Sequence, residues 1–322
     1  MPKHRNKIVC IGGGSGLSHF VKGIRDIDTI ELKCIVTTAD DGGSSGKLKK
    51  ELNIPAVGDI RNVLLSLADV PEDLAALMNN RFEKGSLTGH SMGNLVMASL
   101  LQLCEGDLVK ATHMASNIFN IHGEIIPATK DVVDIKAVLD DNSEIVGEQN
   151  IGVVGQGIKR ISYMTPVVAT TEAVEAILEA DILIYSIGSL FTSIIPNIII
   201  PEIAEAIEET KAKKIYFANL MSQPGETNGF TLSQHIDAIN EHLGFQGIDL
   251  VIVNNQKISR KVLENYKEEN SFPIKYDYRK VDSGIKIIRY DIAKIDNGRI
   301  IHSPEKINRL FRRNILCLFP KK

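Results

Sequence analysis

Short runs of aliphatic and β-branched residues alternate along the chain with longer stretches whose apolar positions recur every three or four residues. The short runs read as strands buried on both faces, and the periodic stretches as helices crossing between them. Residues 8–11 form the first strand, and Leu17, Phe20, Val21 and Ile24 share one helical face directly after it. Further strands are predicted at 34–39, 182–187, 214–218 and 250–253. Helical stripes run through Ile60, Val63, Leu64 and Leu67, through Leu95, Val96, Leu100 and Leu103, and across 108–118, 172–179, 202–210 and 233–243. Asp59 stands where it would cap the helix over 60–67. Between that helix and the strand before it, the chain is too rich in glycine to predict regular structure. Residues 132–139 alternate as a strand and end in the turn Asp140-Asp141-Asn142-Ser143. Strands at 285–292 and 299–302 precede a helix over 304–312, and 270–282 is polar and irregular. The pattern predicts an α/β fold whose mostly parallel sheet is covered on both faces. With no linker and no fixed-period repeat, domain boundaries are soft.

Composition then narrows the function. Of 322 residues 43% are apolar, enough for a substantial core. The net charge is −3, with Lys and Arg scattered, so there is no electrostatic footprint for nucleic acid. The polar stretch 1–7 runs straight into a short strand without the apolar segment of a signal peptide, and no apolar run reaches the roughly 18 residues of a membrane span. A soluble, cytoplasmic protein is expected. Cys10, Cys34, Cys104 and Cys317 lie far apart in apolar surroundings, which predicts buried thiols without a disulfide framework or a metal site.

Candidate chemistry lies where strands end. Gly12, Gly13, Gly14, Ser15 and Gly16 join the first strand to its helix, where backbone N–H groups and the helix dipole point at an anion. No glycine stands at Leu17 or His19, so the loop is not a dinucleotide fingerprint. Asp40-Asp41-Gly42-Gly43-Ser44-Ser45-Gly46-Lys47 follows the second strand, its carboxylates suited to Mg²⁺ or sugar hydroxyls and Lys47 to phosphate. Gly89-His90-Ser91-Met92-Gly93 matches a hydrolase nucleophile elbow, but the polar residues 81–88 supply no strand before the serine. A second glycine-lined helix start, with His90 and Asn94 as donors to a ligand, is the better reading. Gly188, Ser189 and Thr192, and then Asn219 and Gln223, follow two later strands and complete a cleft of such loops. Tyr266 and Asn255 are further candidates for contacts to a base or ribose. His235 and His242 read as packing residues, and no histidine set has metal-ligand spacing.

These segments resemble the gluconeogenesis factor (YvcK-like) branch of the family that contains 2-phospho-L-lactate transferase. Residues 12–17, 38–46, 58–62 (with Asp59 and Asn62), 89–94, 127–129, 188–197 and 219–227 carry the resemblance in order. It implies a Rossmann-like three-layer α/β/α fold, taken as one domain over 1–322 with an irregular subregion near 256–285. It further implies binding of a UDP-sugar, notably UDP-N-acetylglucosamine, and a regulatory role in cell shape and cell-wall synthesis on gluconeogenic carbon sources, with wall-synthesis proteins as partners. No reaction, required cofactor or catalytic residue is implied. The alternative is an Mg²⁺-dependent transfer of a phospholactyl-type group from a nucleotide-activated donor, with Lys47 or Arg61 polarising that group. The family's Arg before His-Asp is replaced by Ile301 before His302-Ser303, so no ligand contact is carried over there. A homodimer is the base-rate expectation.

Overall fold

The computed structural model describes residues 5–153 and 157–318. In chain order the strands are β1 (Asn6–Gly12), β2 (Ile30–Val36), β3 (Glu124–Pro127), β4 (Ile135–Leu139), β5 (Glu144–Val146), β6 (Ile158–Tyr163), β7 (Ile182–Tyr185), β8 (Lys213–Phe217), β9 (Leu250–Asn254), β10 (Lys286–Tyr290), β11 (Ala293–Asp296) and β12 (Arg299–His302). Seven of them form one sheet in the order β10-β9-β8-β7-β1-β2-β3, with every neighbouring pair parallel.

Alternation along β1 divides the interior. Val9 and Ile11 face a core with helices Thr171–Glu179, Pro201–Glu209 and Leu232–Leu243. Ile8 and Cys10 face a second core with helices Gly14–Ile24, Gly58–Leu67, Met92–Leu103, Leu108–Ile118 and Pro304–Leu310. A strand buried on both sides has no polar face to show, which explains its continuous apolar run. The result is the three-layer, Rossmann-like α/β/α arrangement.

The chain leaves β1 for β2 and β3 on one side, then returns to β7 on the other. This reversal opens a crevice beyond the carboxyl ends of β1 and β7, the place where such sheets bind ligands. Two additions flank it. An antiparallel sheet, β5-β4-β6, is inserted between β3 and β7, and β11 and β12 form a hairpin. At the far end of the chain, Phe311 stacks on Phe217 at 6.1 Å, and both meet Phe20 edge-on. Helix Pro304–Leu310 packs so close to helix Gly14–Ile24 that a side chain at Gly23 would meet the Pro304 carbonyl at 2.8 Å.

Several expectations are corrected. The glycine-rich stretch after β2 forms helix Gly43–Leu52, because Gly46 lets the turn close against the Asp41 carbonyl and Leu48 enters the core. Asp59 does not cap its helix; Val57 holds that position, and Asp59 lies within the first turn. The strand predicted over 132–139 is β4, which belongs to the insertion. Residues 256–285 contain helix Arg260–Lys267, whose Val262 and Tyr266 pack under the β11–β12 hairpin. Cys10 and Cys34 are buried opposite each other on β1 and β2, but Cys104 is partly exposed and Cys317 exposed. Among the described residues, no single helix is long and apolar enough to cross a membrane.

Candidate functional site

A cleft of about 660 Å³ opens at the switch point between β1 and β7. That is the scale of a site for a molecule of nucleotide size. Its floor is the turn from β1 into helix Gly14–Ile24, where Gly13, Gly14, Ser15 and Gly16 line the opening. Gly14 takes φ +56°, a left-handed conformation that glycine adopts without strain. Gly16 lies against Ile187 and Gly188, so any side chain there would overlap the Ile187 carbonyl. The helix thereby starts in contact with the loop after β7.

That loop supplies Gly188, Ser189 and Thr192 to the cleft, and the loop after β8 supplies Asn219 and Gln223. The two are tied together. Asn219 donates its amide to the Gly188 carbonyl at 2.9 Å, and Ser189 donates to Gln223 Oε1 at 2.7 Å. Beneath them Glu226, 2% exposed, accepts from the Phe191 backbone, the Thr192 hydroxyl and the Gln223 amide. Burial pushes its carboxyl up to about 7 against those bonds.

Asp40, Asp59 and Asn62 line the side nearest β2. Asp40 folds back to accept the Gly42 N–H at 2.8 Å. The enclosed Asp59 carboxyl accepts the Gly14 N–H, so an acid already occupies one donor of the helix start. Burial, then the charges of Asp40 and Glu148, raise it to about 8. Glu148 reaches the same side from the insertion, raised to about 7 by burial and by Asp40, Glu226 and Asp41. On the side nearest β8 stand Leu220, Met221, Tyr266, Ile300, Ile301 and His302. Burial lowers His302 to about 4, so the ring is neutral at physiological pH.

Other sequence candidates lie elsewhere. Gly12 ends β1 beneath the cleft, its carbonyl accepting from Thr37 and Asn197. Asp41 turns away to accept the Gln149 N–H at 2.8 Å, and Gly42 caps helix Gly43–Leu52. Lys47 is exposed and donates to the Thr88 carbonyl, while Asn255 is exposed outside the lining. Ser44, Ser45, His90 and Asn94 form a buried network behind the floor. Ser44 Oγ lies 3.2 Å from His90 Nδ1, and Asn94 bridges Ser45 Oγ and Arg61 Nε at 3.4 and 3.3 Å. Ser91, fully buried, accepts the Asn94 N–H as the cap of helix Met92–Leu103. No hydrolase elbow is built there: the serine points into its own helix start and cannot reach a substrate. His235 and His242 are packing residues, and His242 Nε2 accepts the Ile161 N–H at 2.9 Å, fastening β6.

Sequence reasoning missed His19, Glu148, Leu220, Met221, Ile300, Ile301 and His302 as lining residues. The hairpin was detectable: Asn297 and Gly298, at φ +46° and +75°, are the favoured pair for a two-residue turn. Glu148 carried no such signal, since nothing local to it says that the insertion folds back over β1.

The family profile described as 2-phospho-L-lactate transferase matches residues 8–293. The gluconeogenesis factor of Bacillus subtilis is 40% identical over 308 residues, covering 94% of this chain and 96% of that one. That of Halalkalibacterium halodurans is 39% identical over 308 residues, covering 94% and 95%. A crystal structure of a Bacillus halodurans protein superposes with a TM-score of 0.92 at 36% identity, covering 96% of this chain and 100% of the other. Agreement over almost the whole length of each relative, together with the cleft at the switch point, leads to one conclusion: the chain belongs to the gluconeogenesis-factor branch of the 2-phospho-L-lactate transferase family.

Proposed function

We propose that the cleft binds a UDP-sugar, UDP-N-acetylglucosamine being the first choice, and that the protein is a regulator. Its role would be in cell shape and cell-wall synthesis during growth on gluconeogenic carbon sources, exerted on wall-synthesis proteins. The observation that carries this reading is the succession of surfaces in one cleft. Glycine backbone at a helix start, suited to phosphate, lies between an apolar side with Tyr266 and an acidic side able to accept from hydroxyls. The cleft side chains bind and orient rather than attack: Ser189 and Thr192 are committed to Gln223 and Glu226.

Calorimetric titration with UDP-N-acetylglucosamine, UDP-glucose, GDP and NAD tests it. The UDP-sugars are expected to bind most tightly, and Gly14→Asp, which forces a side chain and a charge onto the floor, to abolish the heat. Absence of binding at millimolar UDP-sugar would overturn the reading.

The alternative is the Mg²⁺-dependent transferase, supported by the family profile and by Asp40 in the cleft. The residues fit it poorly. Asp41 is engaged by Gln149, Arg61 by Asn79 and Asn94, and Lys47 by Thr88. Among the described residues, no three His, Cys, Asp or Glu side chains converge as a metal site. Metal-dependent turnover of a nucleotide-activated donor, lost in Asp40→Asn, would favour the transferase.

A further inference from the structure

The cleft is chemically polarised along the sheet. Asp40 and Glu148 gather on the β2 side, close enough that their charges both bear on Asp59 at the edge of the glycine floor. Carboxylates repel phosphate and accept from hydroxyl and amide groups. A diphosphate therefore belongs over the glycine floor, and whatever extends past it toward β2 must bring hydrogen-bond donors.

Of these acids only Glu148 comes from outside the seven-stranded core. It is held with care. Asp41 accepts the neighbouring Gln149 N–H, Gly225 leaves room for the Gly152 carbonyl, and Lys49, 4% exposed, joins helix Gly43–Leu52 to Asp134 at 2.6 Å. His242 fastens the insertion's last strand from the opposite side. Thr192, which lines the cleft with Glu148, spends its hydroxyl proton on Glu226 at 3.1 Å and leaves the Glu148 carboxyl to other donors. A half-buried acid on a segment fixed from several directions, facing a cleft, is placed to accept from a ligand.

We propose that Glu148, on the insertion, is the specificity residue that favours a nucleoside diphosphate bearing a sugar over the bare diphosphate, by accepting hydrogen bonds from that sugar's hydroxyl or amide groups. This rests on the UDP-sugar reading above. It also sets an orientation, with the sugar toward β2 and the insertion, and the base toward Tyr266 and the β11–β12 hairpin.

The test is calorimetric titration of UDP and UDP-N-acetylglucosamine, in EDTA, into the wild type, Glu148→Ala and Glu148→Gln. The wild type is expected to prefer the sugar nucleotide. Glu148→Ala weakens UDP-N-acetylglucosamine about tenfold or more, as loss of a charged hydrogen bond should, and leaves UDP within about twofold. Glu148→Gln, which keeps one acceptor oxygen, falls between. A purely structural role would lower both affinities together, and that result, or an unchanged preference in Glu148→Ala, overturns the proposal. A wild type that binds UDP but gains nothing from the sugar overturns it while leaving a nucleotide site standing. One that binds neither ligand overturns the parent reading as well.

Discussion

Two regions of this protein look alike in the sequence and differ in the fold. Residues 12–16 and the set Ser44, Ser45, His90 and Asn94 are both glycine- or hydroxyl-rich clusters beside a helix start. The first lines a cleft; the second is sealed behind it, its side chains hydrogen-bonded to one another. The difference is one of partners. At the glycine turn Asp59 answers the Gly14 N–H and the rest of the turn faces the cleft, whereas side-chain amides and hydroxyls between two packed helices answer one another.

The most severe way to break the comparison is Gly16→Val, which drives a branched side chain into the Ile187 carbonyl. Urea unfolding should show a loss of about 3 kcal/mol or more, accompanied by loss of nucleotide binding. Next is Asn94→Ala in the sealed network. Leaving Arg61 short of a buried partner should cost about 2 kcal/mol by the same assay, with UDP-sugar affinity nearly unchanged. Reduced affinity at wild-type stability would move Asn94 into the binding site.

A third test uses Asp59, whose proton is held to about pH 8 in the folded state against 3.8 as the ordinary value. The folded state thus binds more protons than the unfolded one between those limits, and stability falls as pH rises through them. Asp59→Asn should remove that decline, gaining about 1 kcal/mol on the wild type between pH 7 and 8 in paired denaturation curves. Parallel curves would show that the carboxyl is solvated. The smallest effect is expected of Lys47→Ala, within about 0.5 kcal/mol in stability and about twofold in UDP-sugar affinity, because the ammonium is exposed and turned to Thr88.

The parallel core was legible because strands such as β1 and β9 are buried on both faces, and burial writes itself as an unbroken apolar run. The glycine turn was legible for a related reason, since Gly14 takes a left-handed φ that favours glycine and any side chain at Gly16 would overlap the Ile187 carbonyl. Asp41 and Lys47 misled because adjacency in a loop says nothing of direction: Asp40 faces the cleft while the next residue faces the insertion. Helix Gly43–Leu52 was hidden because glycine's low helix propensity was overridden by packing at Gly46 and Leu48. Glu148 and His302 were missed because the insertion and the hairpin reach the cleft through contacts with distant segments, Gln149 with Asp41 and His302 with Ala218, that no local pattern encodes.

The contact of helix Pro304–Leu310 with helix Gly14–Ile24 bears on the order of biosynthesis. The helix that begins at the glycine floor is made well before the segment that covers Gly23 and Phe20, which lies in residues 304–311. Until then the side of that helix facing Pro304 and Phe311 has no cover, so a growing chain cannot hold the helix as the finished fold does. The packing behind the cleft floor is thus completed only once residues 304–311 have emerged, and truncation before residue 304 should yield a chain that chaperones retain for its exposed aromatic surface.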